Sequence, residues 1–409
     1  MKSRSIQLTV AAVLLLAAQT PVLAGSATIR PEVGKSLQEA QKALQTKNYN
    51  EARADISKAE AVGKLTPYER YIIARLKAST FIGLGDYKSA LVSYEQVAAS
   101  PELPAGEKLQ VLDAYVKLAY TAKDYPRTIS ALQSYKAAGG NDPQTLGLYA
   151  QALYLAGRYA EAGAETGREI AAAEQAGKRP TDTQLQLFAN CALKRNDMKA
   201  YTVALEKIVT YTPKPQYWLD LILRTAGQPG FSTALDLDVY RLRKVTGTME
   251  KGSDYMEAAQ LALQAGFPNE AKAFVDEGYA KKLLGAGADA ARDQRLKALV
   301  AKKITEDKAT LAEGEKAAAQ QASGDALVNT GFNLVTYGQA DKGLKLMQQG
   351  IAKGGLKNPD MARLHLGYAQ LLAGQKDGAM KTFAAVSGKA GSASLARLWA
   401  IQLRNARAG

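Results

Sequence analysis

The stretch GLGDYKSALVSYEQV, residues 83–97, constrains this chain more than any other feature. Gly85 ends one helix, Asp86 is placed to cap the next, and Tyr87 packs back across the turn. Ala90, Tyr94 and Val97 then form one apolar stripe at helical spacing. Two antiparallel helices follow from this pattern. Ala90 and Ala78, twelve residues upstream, are small because the two helices must approach closely there.

The same pair recurs along the chain as Ala40 and Ala52, Ala150 and Ala162, Ala259 and Ala271, and Gly367 and Ala379. Val116 with Thr128, Ala189 with Tyr201, and Gly331 with Gly343 read as looser versions. The turns fall at Lys47, Gly85, Lys123, Gly157, Asn196, Gly266, Gly338 and Gly374, at intervals of 38, 38, 34, 39, 70, 72 and 36 residues. With one degenerate unit inside each long interval, the mean period is about 36 residues, close to the 34 of a tetratricopeptide repeat. Small residues at the eighth and twentieth positions and an aromatic in the turn carry the resemblance. Over residues 33–395 the chain resembles the tetratricopeptide repeat superfamily, and as a whole it is similar to secreted tetratricopeptide proteins of Gram-negative bacteria. The resemblance implies an all-α solenoid of about ten helix-turn-helix repeats forming a right-handed superhelix. In such a stack each hairpin buries its apolar face only against its neighbours, so distant repeats are expected to stay apart.

Residues 1–24 differ in character from the rest. Lys2 and Arg4 are followed by an unbroken apolar run from Val10 to Ala18 and by the small-residue site Val22-Leu23-Ala24. This pattern reads as a secretory signal peptide, since nine apolar residues fall short of the roughly 20 that span a bilayer. It leads to a periplasmic expectation. The sequence divides into residues 25–213, with clear repeats, and residues 214–409, with divergent repeats that are basic toward the end. The break is placed at YTPKPQYW, where Pro213 and Pro215 bracket Lys214.

Charge is unevenly spread. The whole chain carries a formal +14, and residues 338–409 hold eleven basic against three acidic residues. An anionic partner, such as a cell-wall or polysaccharide polymer, is therefore expected at the C-terminal repeats. Nucleic acid fits poorly, because no recognition module is visible.

The inventory for catalysis is sparse. His365 is the single histidine and Cys191 the single cysteine, so a catalytic triad or a transition-metal site lacks its components. Both read as packed residues inside helices. Asp236 and Asp238 lie two apart, on different helix faces, and read as partners for Arg241 and Arg243 or as caps. No phosphate loop, dinucleotide fingerprint or calcium loop is present, and no cofactor is expected.

The informative surface is the first helix of each hairpin. In the tetratricopeptide superfamily its second, fifth, ninth and twelfth positions line a concave groove. By that register the ninth positions are Gln41, Ser79, Lys117, Gln151, Asn190 and Gln260, followed by Phe332 and Tyr368, and the twelfth include Tyr120 and Tyr154. Amides donate and accept, so such a ladder suits a peptide backbone or the hydroxyls of a glycan. The carboxylate clamp of chaperone-binding members is not reproduced, since Gln186 and Leu187 stand beside Asn190. The resulting expectation is a noncatalytic periplasmic scaffold for a protein or peptide partner of the cell envelope. The alternatives are an accessory factor in export or assembly of envelope polysaccharide or outer-membrane protein, and a peptidoglycan-acting enzyme, for whose separate catalytic domain the repeats leave no room.

Overall fold

The structure, a computed structural model, describes residues 28–408; the signal-peptide expectation for residues 1–24 lies outside them. Among the described residues every regular element is helical. The chain divides into two compact units, one ending at Ala172 and the other starting at Ala173, so the segment around Pro213 lies within the second.

Among the described residues, the first unit comprises three hairpins and a fourth with a broken first helix. They are α1 (Pro31–Gln45) with α2 (Tyr49–Ala61), α3 (Pro67–Gly83) with α4 (Tyr87–Ala99), and α5 (Lys108–Thr121) with α6 (Tyr125–Ala137). A single turn, α7 (Pro143–Leu146), then leads into α8 (Leu148–Leu155), before α9 (Tyr159–Gln175), in whose last turn the division falls. Successive hairpins stack through aromatic and aliphatic side chains. Tyr94 of α4 and Tyr115 of α5 lie nearly parallel with ring centroids 6.3 Å apart, within a core that includes Leu91, Val97, Leu112 and Leu132. At the start of the chain, Arg30 reaches the buried Glu69 at 2.8 Å and the Gly63 carbonyl at 3.1 Å, tying α1 to α3. Hydrogen bonding to Arg30 lowers the Glu69 carboxyl to about 2, against the opposing effect of burial.

The eight turn positions read from the sequence all adopt positive φ, from 54° at Asn196 to 85° at Gly338. This left-handed residue lets the chain reverse while closing the last helical carbonyls: Asp86 N–H donates to Phe81 O at 2.9 Å and Gly85 N–H to Ile82 O at 3.0 Å. Asp86, Asp124 and Asp197 then cap the following helices through the backbone N–H three residues on.

The second unit holds five hairpins and two unpaired helices. These are α10 (Asp182–Lys194) with α11 (Met198–Tyr211), α12 (Pro215–Ala226) with α13 (Asp236–Val245), α14 (Gly252–Gln264) with α15 (Pro268–Ala280), the single α16 (Ala290–Gln320), α17 (Asp325–Thr336) with α18 (Ala340–Lys353), α19 (Pro359–Leu372) with α20 (Lys376–Ala384), and α21 (Ser392–Ala408). The first long interval does hide a repeat, the α12–α13 hairpin with a lengthened connection. The second does not. It contains α16, a single 31-residue helix, because residues 290–320 include no stop signal beyond Gly314, which sits exposed in mid-helix.

Two further expectations change. Gly331 and Gly343 are not a loose pair: a Cβ on Gly331 would lie 2.6 Å from the Gly343 carbonyl oxygen, and one on Gly350 would lie 2.6 Å from the Gly324 carbonyl oxygen. α17 and α18 therefore meet backbone to backbone. The second unit also curls back on itself. α21 packs against α11, α13, α19 and α20. Arg397 bonds Glu206 at 2.7 Å and Asn405 Nδ2 donates to Val209 O at 2.8 Å, so residues nearly 200 apart in sequence are in contact.

These contacts generate a paired stability prediction. Gly331→Val drives two methyl groups into the Gly343 backbone and is expected to cost about 1–3 kcal/mol or more. Gly314→Ala meets no neighbouring atom and is expected to stabilise by about 0.5–1 kcal/mol, the usual gain for replacing a mid-helix glycine. Denaturant unfolding of both variants checks the two signs.

Candidate functional site

Of the eight candidate groove residues, six lie in the first unit, on α1, α3, α5 and α8, and two lie in the second, on α10 and α14. Gln41, Ser79, Lys117, Tyr120, Gln151 and Tyr154 are half-buried, whereas Asn190 and Gln260 are exposed. Hairpin packing fixes the helices that carry them, because the buried eighth-position residues Ala40, Ala78, Val116 and Ala150 precede the ninth by one. Each ninth-position side chain therefore emerges at the margin of the packed interface.

The structure brings some of these residues together. Tyr120 OH donates to Gln151 Oε1 at 3.0 Å, linking α5 to α8, and leaves the amide donors of Gln151 unused. Burial raises the Tyr120 phenol, so it remains a donor at neutral pH. Lys117 Nζ is held by Asp113 at 2.6 Å on its own helix. Tyr120 packs edge-on to Tyr125, and Tyr154 edge-on to Tyr159 at 5.3 Å, which restricts both rings. The side chains of Gln41, Ser79, Asn190 and Gln260 form no hydrogen bond among the described residues.

Two residues at the fifth register position escaped notice, although the count that located the ninth also reaches them. Arg75 pairs with Glu107 at 3.0 Å and lies beside Tyr71, and Asp113 accepts from both Lys117 and the Thr145 hydroxyl. Each cation on this face thus has a carboxylate partner supplied by the first unit itself. The face presents amides, hydroxyls and phenol rings, with its charges internally balanced.

In the second unit the same register behaves differently. Phe332 and Tyr368 do not line an open groove: they are 0% and 6% exposed and pack against Arg241 of α13. The Arg241 guanidinium carbon lies 4.7 Å from the Phe332 ring centroid, 5.1 Å from that of Tyr368 and 5.6 Å from that of Phe267. It also forms a two-point contact with Glu270 at 2.7 and 2.8 Å and reaches Asp238 at 2.8 Å. His365 Nε2 meets the other oxygen of Asp238 at 3.0 Å. Sequence reading anticipated the Asp238–Arg241 pair; Arg243 pairs instead with Asp254 at 2.9 Å.

This cluster sets a histidine beside an acid within the packed interior of the second unit. His365 is walled in by Phe267 and Phe332, and no cysteine or serine stands with it in this cluster. Burial opposes the charge of Arg241, but Glu270 and Asp238 more than offset it and raise its pKa. Burial likewise favours a neutral Asp238, and His365 and Arg241 overcome that to keep its carboxyl below the usual range. Cys191 is also buried, and desolvation pushes its thiol up to about 11, which disfavours the reactive thiolate. Among the described residues, no group of three His, Cys, Asp or Glu side chains is placed to hold a metal ion.

Removing the guanidinium tests this account. Arg241→Met leaves two buried carboxylates without their cation, and a loss of about 3–5 kcal/mol is expected at pH 7. The sign of the pH dependence should differ between the proteins. In the native chain the depressed Asp238 pKa contributes stability above about pH 4 that is lost as pH falls further; in the variant, protonation of the stranded carboxylates should restore stability on the acid side of neutrality. Denaturant melts from pH 2 to 8 check both signs.

Comparison with known proteins adds little to this geometry. No family model matches the chain, and no curated protein matches it. Among solved structures, yeast Tom70 aligns over 92% of this chain and 96% of its own, at 12% identity and a TM-score of 0.25. A TM-score of that size does not separate a shared fold from shared helical content.

Proposed function

We propose that this chain is a noncatalytic scaffold that binds an extended protein or peptide partner along the first helices of its first unit. The observation that carries the reading is the set of register-equivalent polar side chains on that face. Gln41 and Ser79 have no internal hydrogen-bond partner, Gln151 keeps its amide donors, and the nearby charges are already paired. A row of unused donors and acceptors on pre-packed helices suits the repeating amides of an extended backbone. Little ordering of the protein is needed when the partner arrives, so weak contacts add along the row. The leader-like N-terminal sequence supports a periplasmic site of action, with the partner in the cell envelope. The basic C-terminal repeats add a second, Coulombic surface, suited to an anionic polymer of that compartment.

Peptide arrays of 12-residue segments, probed with the purified protein, provide the test. Peptides that bind should lose at least fivefold in signal with the Gln41→Ala, Gln151→Ala double variant, while helical content stays unchanged and stability falls by only about 1 kcal/mol, which loss of the Tyr120–Gln151 hydrogen bond accounts for. Raising the salt from 50 to 300 mM should alter this binding little, because the face is internally neutral. Undiminished binding by the double variant overturns the reading.

A further inference from the structure

The Arg241 cluster has a consequence for where the second unit can meet a partner. At α17 and α19 the register positions that stay accessible in the first unit are filled from within, by Phe332, Tyr368 and the guanidinium they enclose. Beside them, the outward sides of the second helices, α18 and α20, and the connections next to these helices are exposed. The excess of positive charge lies there.

The eleven basic residues of positions 338–409 do not contribute equally. Lys342 is engaged by Glu315 at 2.6 Å, Arg363 by Asp360 at 3.3 Å and Arg397 by Glu206 at 2.7 Å, while Lys353 donates to the Ala319 carbonyl. Lys345 on α18, Lys376 and Lys381 on α20, and Lys357 and Lys389 on the flanking connections are exposed, with no ion pair among the described residues. The connections adjoin the hairpin they flank: Lys357 N–H donates to Asp325 at 3.3 Å, and Ser387 N–H donates to Asp360 at 3.3 Å. Asp325 and Asp360 are thereby occupied by local backbone or by Arg363; of the two carboxylates on the helices themselves, Asp377 on α20 is engaged and Asp341 is exposed on α18, so the five lysines keep an excess of positive charge.

We propose that these five lysines form a docking surface for an extended polyanion, a linear polymer of phosphate or carboxylate groups. The proposal deepens the Coulombic part of the function proposed above and is independent of the groove in the first unit. A small anion would need a built pocket with a buried cation, whereas these ammonium groups are solvated and spread over two helices and two connections. A chain of regularly spaced charges meets several at once and releases their counterions, which makes binding multivalent and salt-dependent. A lipid surface is the weaker fit, because interfacial binding adds apolar insertion and Leu372 is the one large hydrophobic residue exposed among the described residues after position 338. Single-stranded nucleic acid fits less well too, since among the described residues no large aromatic side chain is exposed there to stack a base.

The test uses the full chain and three probes: polyphosphate, poly-L-glutamate, and vesicles of phosphatidylglycerol with phosphatidylcholine. Wild type should bind both polymers at 50 mM salt, with affinity falling at least tenfold by 300 mM. Lys345→Gln, Lys357→Gln, Lys376→Gln, Lys381→Gln and Lys389→Gln combined should weaken polymer binding at least tenfold and flatten its salt dependence, with an unchanged melting curve. Lys35→Gln, Lys42→Gln, Lys88→Gln and Lys108→Gln, all exposed in the first unit, should leave it within twofold. The Gln41→Ala, Gln151→Ala variant should bind polyphosphate as wild type does, so failure of the groove is separable from failure here. Equal loss in the first-unit control, no loss in the five-lysine variant, or binding to vesicles but to neither polymer would each overturn the proposal.

Discussion

Close approach of paired helices is the constraint on which this molecule depends. Two helical backbones come together only where both partners present little or no side chain. The twelve-residue spacing from Ala78 to Ala90, or from Ala259 to Ala271, puts those small residues opposite one another across a tight turn. The turn imposes its own condition, a left-handed residue, met by glycine at five of the eight positions and by Lys47, Lys123 and Asn196 at the rest. Everything else in each hairpin follows from that crossing. It sets which face is buried, which residue emerges at its margin, and how far Tyr94 stands from Tyr115 in the next repeat. Gly331 and Gly343 carry the constraint to its limit, with carbonyl oxygens where a side chain would otherwise begin.

A stack built on local rules can still acquire non-local ones. In the second unit α16 replaces a hairpin with one long helix, and the neighbouring hairpins join around it: Asn333 Nδ2 donates to Gly266 O, and Asn269 Nδ2 donates to Thr336 O. α13 then brings Arg241 against rings from the α14–α15 turn, α17 and α19, and α21 returns to α11. A guanidinium suits this place because it satisfies two carboxylates in its plane while its faces rest on aromatic rings. The consequence for function is a division of labour. The first unit keeps an accessible polar face, while the corresponding positions at α17 and α19 are spent on internal cohesion.

The candidate site was legible in part. Its positions could be counted from the small residues, and the count holds for Gln41, Ser79, Lys117 and Gln151, which emerge at the margin of their hairpins. The same count fails as a guide to openness at Phe332 and Tyr368, because register specifies which way a residue faces along its helix and says nothing of what comes to lie opposite. The internal pairs, Tyr120 with Gln151 and Arg75 with Glu107, were likewise out of reach: one joins neighbouring hairpins, and the other depends on how the connection before α5 folds back. Basic character near the C-terminus was plain from composition, but not which lysines remain without a carboxylate.

Helix pairing and turn positions were determined by the sequence alone, since each rests on contacts among residues within one period of each other. Closure of the second unit was decided only in three dimensions. His365 meets Asp238 across 127 positions, and Arg397 meets Glu206 across 191. No local pattern encodes such a meeting, because it is the accumulated rotation of one hairpin on the next, altered by the single long helix between Gly266 and Gly338, that brings the two partners together.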